Sequence, residues 1–205
     1  MSLTLPNTKR WYLIFGLWLL PLIYMAYLIA INQSGLGADP AKGLVDLSGE
    51  IAIYSLIIAL SITPARKLLH QGWLARFRRM SGLFAFFYAF CHFSFYSIFL
   101  LQLDLSRIGY EIANRPYILV GAAAVVLYLP LVATSTKAMQ RKLKRNWVRL
   151  HKLVYVIAVL AVIHVIWLKK LGIYDVKLIA SLMALLLGYR LVLAIKPKLF
   201  RKSSA

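Results

Sequence analysis

The sequence predicts an all-α integral membrane protein of six transmembrane helices, with N and C termini cytoplasmic. Three observations lead there. The 205 residues are 61% hydrophobic, against about 45–50% for soluble domains. Apolar runs of about 20 residues, the length that spans a bilayer as a helix, recur along the whole chain. The basic residues behind a net charge of +19 collect between those runs rather than within them.

The first helix is predicted at about 11–31. Its apolar run is too long for a signal peptide and no small-x-small cleavage site follows, so it reads as a retained span. Pro21 is a kink point that membrane helices tolerate. Residues 32–43, NQSGLGADPAKG, have the Gly, Asn, Asp and Pro content of a loop. The second helix is predicted at 44–63, with Pro64 in SITPARKLLH marking its end. The basic, aromatic QGWLARFRRM then has the character of an interfacial segment. The third helix is expected at 82–103, and DLSRIGYEIANRP after it reads as a short surface turn. The fourth is expected at 117–136, followed by KAMQRKLKRNWVRL, a basic loop of partly helical pattern. The fifth is expected at 150–168 and the sixth at 174–195, before a short basic tail. No strong internal repeat stands out, and residues 1–205 read as a single domain.

Charge sets the orientation. One side carries Lys9 and Arg10, then Arg66, Lys67, Arg76, Arg78 and Arg79. It also carries Lys137, Arg141, Lys142, Lys144, Arg145, Arg149 and Lys152, and finally Lys196, Lys198, Arg201 and Lys202. The other side has only Lys42, Arg107, Arg115, Lys169, Lys170 and Lys177. The richer side faces the cytoplasm, by the positive-inside rule. Arg190 lies within the last helix and is expected to snorkel. A soluble chain this basic would suggest nucleic acid; at helix ends the same charge meets anionic lipid, and no nucleic-acid partner is expected.

Several chemistries have no residues here. No Gly-rich loop sits between a strand and a helix to hold a nucleotide. No paired carboxylates suit hydrolysis, and no catalytic residue stands out. The single cysteine, Cys91, offers neither a disulfide nor a cysteine-ligated metal and reads as a packing residue.

Histidines are the informative residues. His70 falls in a basic loop and reads as solvated. His92 sits in the apolar, aromatic FFYAFCHFSFY, and His164 in VLAVIHVIW. Ionisable residues at membrane depth are functional by default, although a histidine can also serve as interhelical glue. His92 is 13 residues past Arg79, roughly 20 Å into the membrane, and His164 is 15 past Arg149, roughly 22 Å. Two imidazoles at one depth on two outward-running helices suit the two axial positions of one haem iron, held between helices 3 and 5. A zinc or copper site lacks a third ligand. His151 lies about 20 Å from His164 along helix 5, which leaves room for a second haem. Thirteen residues turn an ideal helix about 140° out of register, so His151 and His164 share a face only if the helix distorts. Glu50, near the outer end of helix 2, is a candidate proton relay or quinone neighbour, or simply reaches the outer interface.

RRMSGLFAFFYAFCHF, LSITPARKLL and NWVRLHKLVYVIAVLAVIHVIW resemble the ferric-reductase-like transmembrane superfamily. The likeness implies a ferric-reductase-like transmembrane domain with haems between a third and a fifth helix. Members usually carry two histidines on each haem helix, 13 or 14 residues apart. His151 and His164 match that pattern. On the third helix Arg78 and Arg79 stand where the second histidine would be. The inner haem therefore lacks an obvious second ligand; His70, an arginine, water or a ligand-poor iron are the alternatives. Arg78 and Arg79 could instead pair with haem propionates, or serve only as positive-inside anchors.

Within that superfamily, a six-helix chain resembles the haem-binding membrane subunits of bacterial periplasmic protein-methionine-sulfoxide reductase systems. This implies a haem b electron-transfer subunit of the inner membrane. Electrons would come from the quinone pool or a cytoplasmic flavin reductase and go to a periplasmic molybdopterin-containing subunit. FMN is associated with such proteins, but the sequence offers no flavin site. The rival readings are a stand-alone transmembrane ferric or metal reductase and a proton-coupled transporter. Inverted repeats and broken helices, which transporters often show, are not evident.

Overall fold

The computed structural model describes residues 7–169 and 176–202. The regular elements among them are all helical. In chain order they are α1 (Asn7–Ala30), a 3-10 turn (Gln33–Leu36), α2 (Pro40–Leu68), a 3-10 segment (Gly72–Phe77) and α3 (Arg78–Phe95). A π-helical turn (Tyr96–Leu100) extends α3, and α4 (Leu105–Asn114), α5 (Pro116–Ala133), α6 (Lys137–Leu143), α7 (Arg145–Leu150), α8 (Leu153–Lys169) and α9 (Val176–Lys202) follow.

Six stretches of the described chain are long and apolar enough to cross a membrane: Thr8–Ala30, Pro40–Leu68, Gly72–Leu100, Pro116–Ala133, Arg145–Leu168 and Val176–Leu193. They match the six expected helices one for one. The expected start of the sixth at Tyr174, and Lys170 before it, lie outside the described residues, as do the side chains of Lys169, Lys196, Lys198, Arg201 and Lys202.

Local chemistry starts the helices. Asp39 caps α2 by accepting from the Lys42 N–H at 3.1 Å, with Pro40 in the first turn. Thr136 caps α6 through the Met139 N–H. The basic segment before α8 is helical in two pieces, α6 and α7, as its pattern suggests. Large apolar side chains such as Leu13, Leu17, Ile23, Leu185 and Leu191 remain exposed, which suits faces whose solvent is lipid.

Expectations fail in two places, for identifiable reasons. Pro64 does not end α2; the helix runs on to Leu68. A proline inside a helix removes the N–H that would bond the carbonyl four residues back, here that of Leu60. The Arg190 guanidinium of α9 supplies the missing donor, with its Nη2 2.6 Å from the Leu60 oxygen. Arg190 therefore turns inward instead of snorkelling, and its guanidinium lies 5.1 Å from the centre of the Tyr155 ring. The second failure is the surface turn expected over 104–116, most of which is helix α4. Asp104 caps it by accepting from the N–H groups of Ser106 and Arg107. Ile108, Glu111 and Ile112, spaced as one helical face, turn away from solvent.

In the core, α2 lies against α3 and α5 against α8. One apolar cluster joins α2, α3, α5, α8 and α9 around Leu60, Ala85, Tyr128, Ala158 and Met183. A second joins α1 to α2 and α3 around Trp18, Met25, Ile62 and Tyr88. The Tyr88 hydroxyl donates to the Trp18 carbonyl between them.

Arg190→Met should destabilise the detergent-purified protein by roughly 1–3 kcal/mol, because it strands a buried carbonyl. Pro64→Ala restores the helical donor, so the same change in that background should cost clearly less. Thermal unfolding of the four variants of this cycle checks it.

Candidate functional site

His92 projects from α3 and His164 from α8. Their ring centres are 6.3 Å apart and the ring planes cross at 73°. Each imidazole is anchored by the neighbouring helix. His92 Nδ1 donates to the Val45 carbonyl of α2 at 2.9 Å, with the buried Ser48 Oγ 3.4 Å away. His164 Nδ1 donates to the Tyr117 carbonyl of α5 at 2.6 Å. A carbonyl only accepts, so the proton of each ring is held on Nδ1. Nε2 of each is then the unprotonated nitrogen, the form that binds a metal.

Glycines make the approach possible. A Cβ at Gly49 of α2 would stand 3.0 Å from the His92 ring, and one at Gly121 of α5 would stand 2.8 Å from His164 Nδ1. The two anchors follow one plan. Each histidine lies 47 residues after its carbonyl partner, and each glycine is one helical turn beyond that partner. A shift of 72 residues carries Val45, Gly49, Arg79 and His92 onto Tyr117, Gly121, His151 and His164. This repeat is one of spacing and backbone role, and so no strong repeat shows in the residue types.

The arrangement fits one metal between two rings. A metal–imidazole bond of about 2 Å, plus about 1 Å to the ring centre, puts two axial rings about 6 Å apart across the ion. No group of three or more His, Cys, Asp or Glu side chains gathers at a metal-binding spacing among the described residues. The pair thus has the donor set of a bis-histidine haem rather than of a tetrahedral metal.

The structure treats His151 differently. It lies in the turn between α7 and α8, where the ladder tightens to three-residue bonds at Lys152 and Tyr155. The tightening turns His151 part of the way toward the face of His164, and both histidines contact α5. The Trp147 ring stacks on His151 at 4.0 Å. His151 Nε2 is 3.2 Å from Thr134 Oγ1. That hydroxyl gives its own proton to the Pro130 carbonyl at 2.6 Å, so it accepts from His151 and leaves Nδ1 as the free nitrogen. Arg78 and Arg79 begin α3 with exposed side chains, Arg78 within electrostatic reach of His151. His70 is exposed in the turn after α2, and Cys91 is a half-buried free thiol.

Sequence reasoning found the histidines and missed their seats: Val45, Ser48, Gly49, Tyr117 and Gly121. The available signal was a glycine 43 residues before each buried histidine, in the preceding apolar span.

Fold and site together define a multi-pass membrane protein with two neighbouring imidazoles between two helix pairs. The model of the ferric reductase like transmembrane component family matches residues 48–162, more than half of the chain. A protein of Xanthomonas campestris pv. campestris (strain 8004) is 49% identical over 163 residues, 78% of this chain and 73% of its own. One from Polaromonas naphthalenivorans (strain CJ2) is 43% identical over 181 residues, 87% of this chain and 82% of its own. Both bear the name protein-methionine-sulfoxide reductase heme-binding subunit MsrQ. No solved structure matches. The chain belongs to the ferric-reductase-like transmembrane family and, within it, to the MsrQ subunits.

Gly121→Ala should cost roughly 1–3 kcal/mol of stability by overpacking the His164 ring. In a His164→Ala background, with the ring gone, the same substitution should cost far less; melting curves of the apoprotein variants test this.

Proposed function

We propose that this protein carries a bis-histidine b-type haem on His92 and His164 and serves as an electron-transfer subunit of the bacterial inner membrane. The observation that carries the reading is the pair of facing imidazoles 6.3 Å apart, each with its proton held on Nδ1. The names of the relatives support the haem and the methionine sulfoxide reductase system. Bound there, haem supplies a one-electron carrier. The chain's own residues do the rest. The Val45 and Tyr117 carbonyls fix ring orientation and raise ligand basicity. Gly49 and Gly121 let the helices close on the rings. His92 and His164 would hold the haem iron through Nε2, and a haem held by two histidines would supply electron transfer rather than substrate binding.

His151, under Trp147, is the candidate ligand of an inner haem nearer the cytoplasm, with Arg78 and Arg79 as propionate partners. The basic loops put both termini in the cytoplasm. Electrons then enter from the quinone pool or a cytoplasmic flavin reductase, with FMN as a further carrier. They leave at the periplasmic face to a molybdopterin-containing catalytic subunit that reduces methionine sulfoxide in oxidised proteins. Residues 1–205 are read as one ferric-reductase-like transmembrane domain, with catalysis carried by the partner subunit.

The test is the absorbance spectrum of the purified protein, oxidised and then reduced with dithionite. A sharp Soret band with narrow reduced α and β bands is expected. His92→Ala and His164→Ala should each abolish the low-spin signal of the outer haem, and His151→Ala should remove at most part of the total. Wild-type spectra in both His92→Ala and His164→Ala would overturn the ligand assignment.

A further inference from the structure

Next to the His92–His164 pair, at the end of the bundle where α3 passes into α4 and α5, lies a polar network that ligation itself does not use. Tyr96, one turn past His92, donates its hydroxyl to Glu111 Oε2 at 3.1 Å. The same oxygen meets Arg115 Nε at 2.8 Å. Arg115 Nη1 donates to the Tyr117 hydroxyl at 3.0 Å. Tyr117 in turn accepts the His164 proton on its backbone carbonyl, and its ring centre is 6.4 Å from that of His164.

The geometry gives the network two routes to the centre. One runs through Tyr96 to the helix of His92, the other through Tyr117 to His164. The π-helical turn begins at Tyr96, where such turns re-aim side chains near functional sites. The capped helix α4 then brings Glu111 back over the bundle. Glu111 is well shielded, its side chain 13% exposed, whereas Arg115 is 52% exposed. With Arg115 in solvent the pair is partly screened, and its contribution to stability is modest. The bond to the Tyr117 hydroxyl raises the Arg115 guanidinium further above its already high value, which keeps it charged.

We propose that Glu111 and Arg115 form a charge pair that sets the reduction potential of the His92–His164 centre, with Tyr96 and Tyr117 as its links to the two ligand helices. The proposal rests on the haem reading above. One-electron reduction adds one negative charge to the centre. A nearby carboxylate opposes that step and a nearby guanidinium favours it, and low surrounding dielectric strengthens both effects. Each charge acts on the centre with its own sign, so the pair holds the potential between the two extremes, and removing one partner leaves the other unopposed. Glu111 and Arg115 are thus positioning residues that act on the energy of the electron rather than on the iron.

The experiment is a spectroscopic redox titration of the full-length protein in detergent, following the haem that persists in His151→Ala. Glu111→Gln keeps the shape, removes the negative charge and should raise the potential. Arg115→Met should lower it. Each shift should correspond to roughly a three- to tenfold change in the reduction equilibrium. Arg115→Lys keeps the charge and should stay near wild type. Shifts in the same direction, no shift in either variant, or loss of the haem spectrum from both would overturn the proposal in favour of a merely structural clasp. A wild-type protein without a Soret band would instead sink the haem reading on which it rests.

Discussion

Lipid cannot hydrogen-bond, so a donor left without an acceptor inside the membrane is costly. That constraint organises the site. His92 and His164 each bring a ring N–H into an apolar bundle, and each spends it on a carbonyl of the adjoining helix. The bond removes an unsatisfied donor. It also selects the tautomer that exposes Nε2 to a metal. Satisfying the membrane and preparing a ligand are therefore one event.

The same constraint explains how α2 passes its proline. Pro64 leaves the Leu60 carbonyl without a helical donor, and Arg190 reaches across from α9 to supply one. A guanidinium that would otherwise be costly at this depth becomes the link between two helices. Glycine works in the opposite sense at Gly49 and Gly121, where a missing side chain admits an imidazole. Close approach of the helices, not glycine's backbone freedom, is what those positions require.

The spacing plan shared by the α2–α3 and α5–α8 pairs gives the His92–His164 pair an approximate symmetry. At the inner end that symmetry breaks, because Arg79 occupies the place that corresponds to His151. One end of the plan thus sets histidine against histidine, and the other sets a histidine against an arginine.

The six spans, the basic sides and the matched depth of His92 and His164 were legible in the sequence. Hydropathy, charge and a rise of 1.5 Å per residue are properties of the chain read locally. The family likeness was legible too, in the stretches around those histidines. What the sequence could not determine was which groups meet across helices. Pro64 looked like a terminus because its donor, Arg190, lies 130 residues away. The 104–116 segment looked like a turn, although its Asp cap and its Ile108, Glu111 and Ile112 face were present to be read. Val45 and Tyr117 act through backbone carbonyls, which every residue possesses, so no side chain announces them. Only the packing of α2 on α3 and of α5 on α8 decided which carbonyl and which glycine each imidazole would find, because a hydrogen bond is a matter of a few ångströms and the chain alone does not set distances between helices.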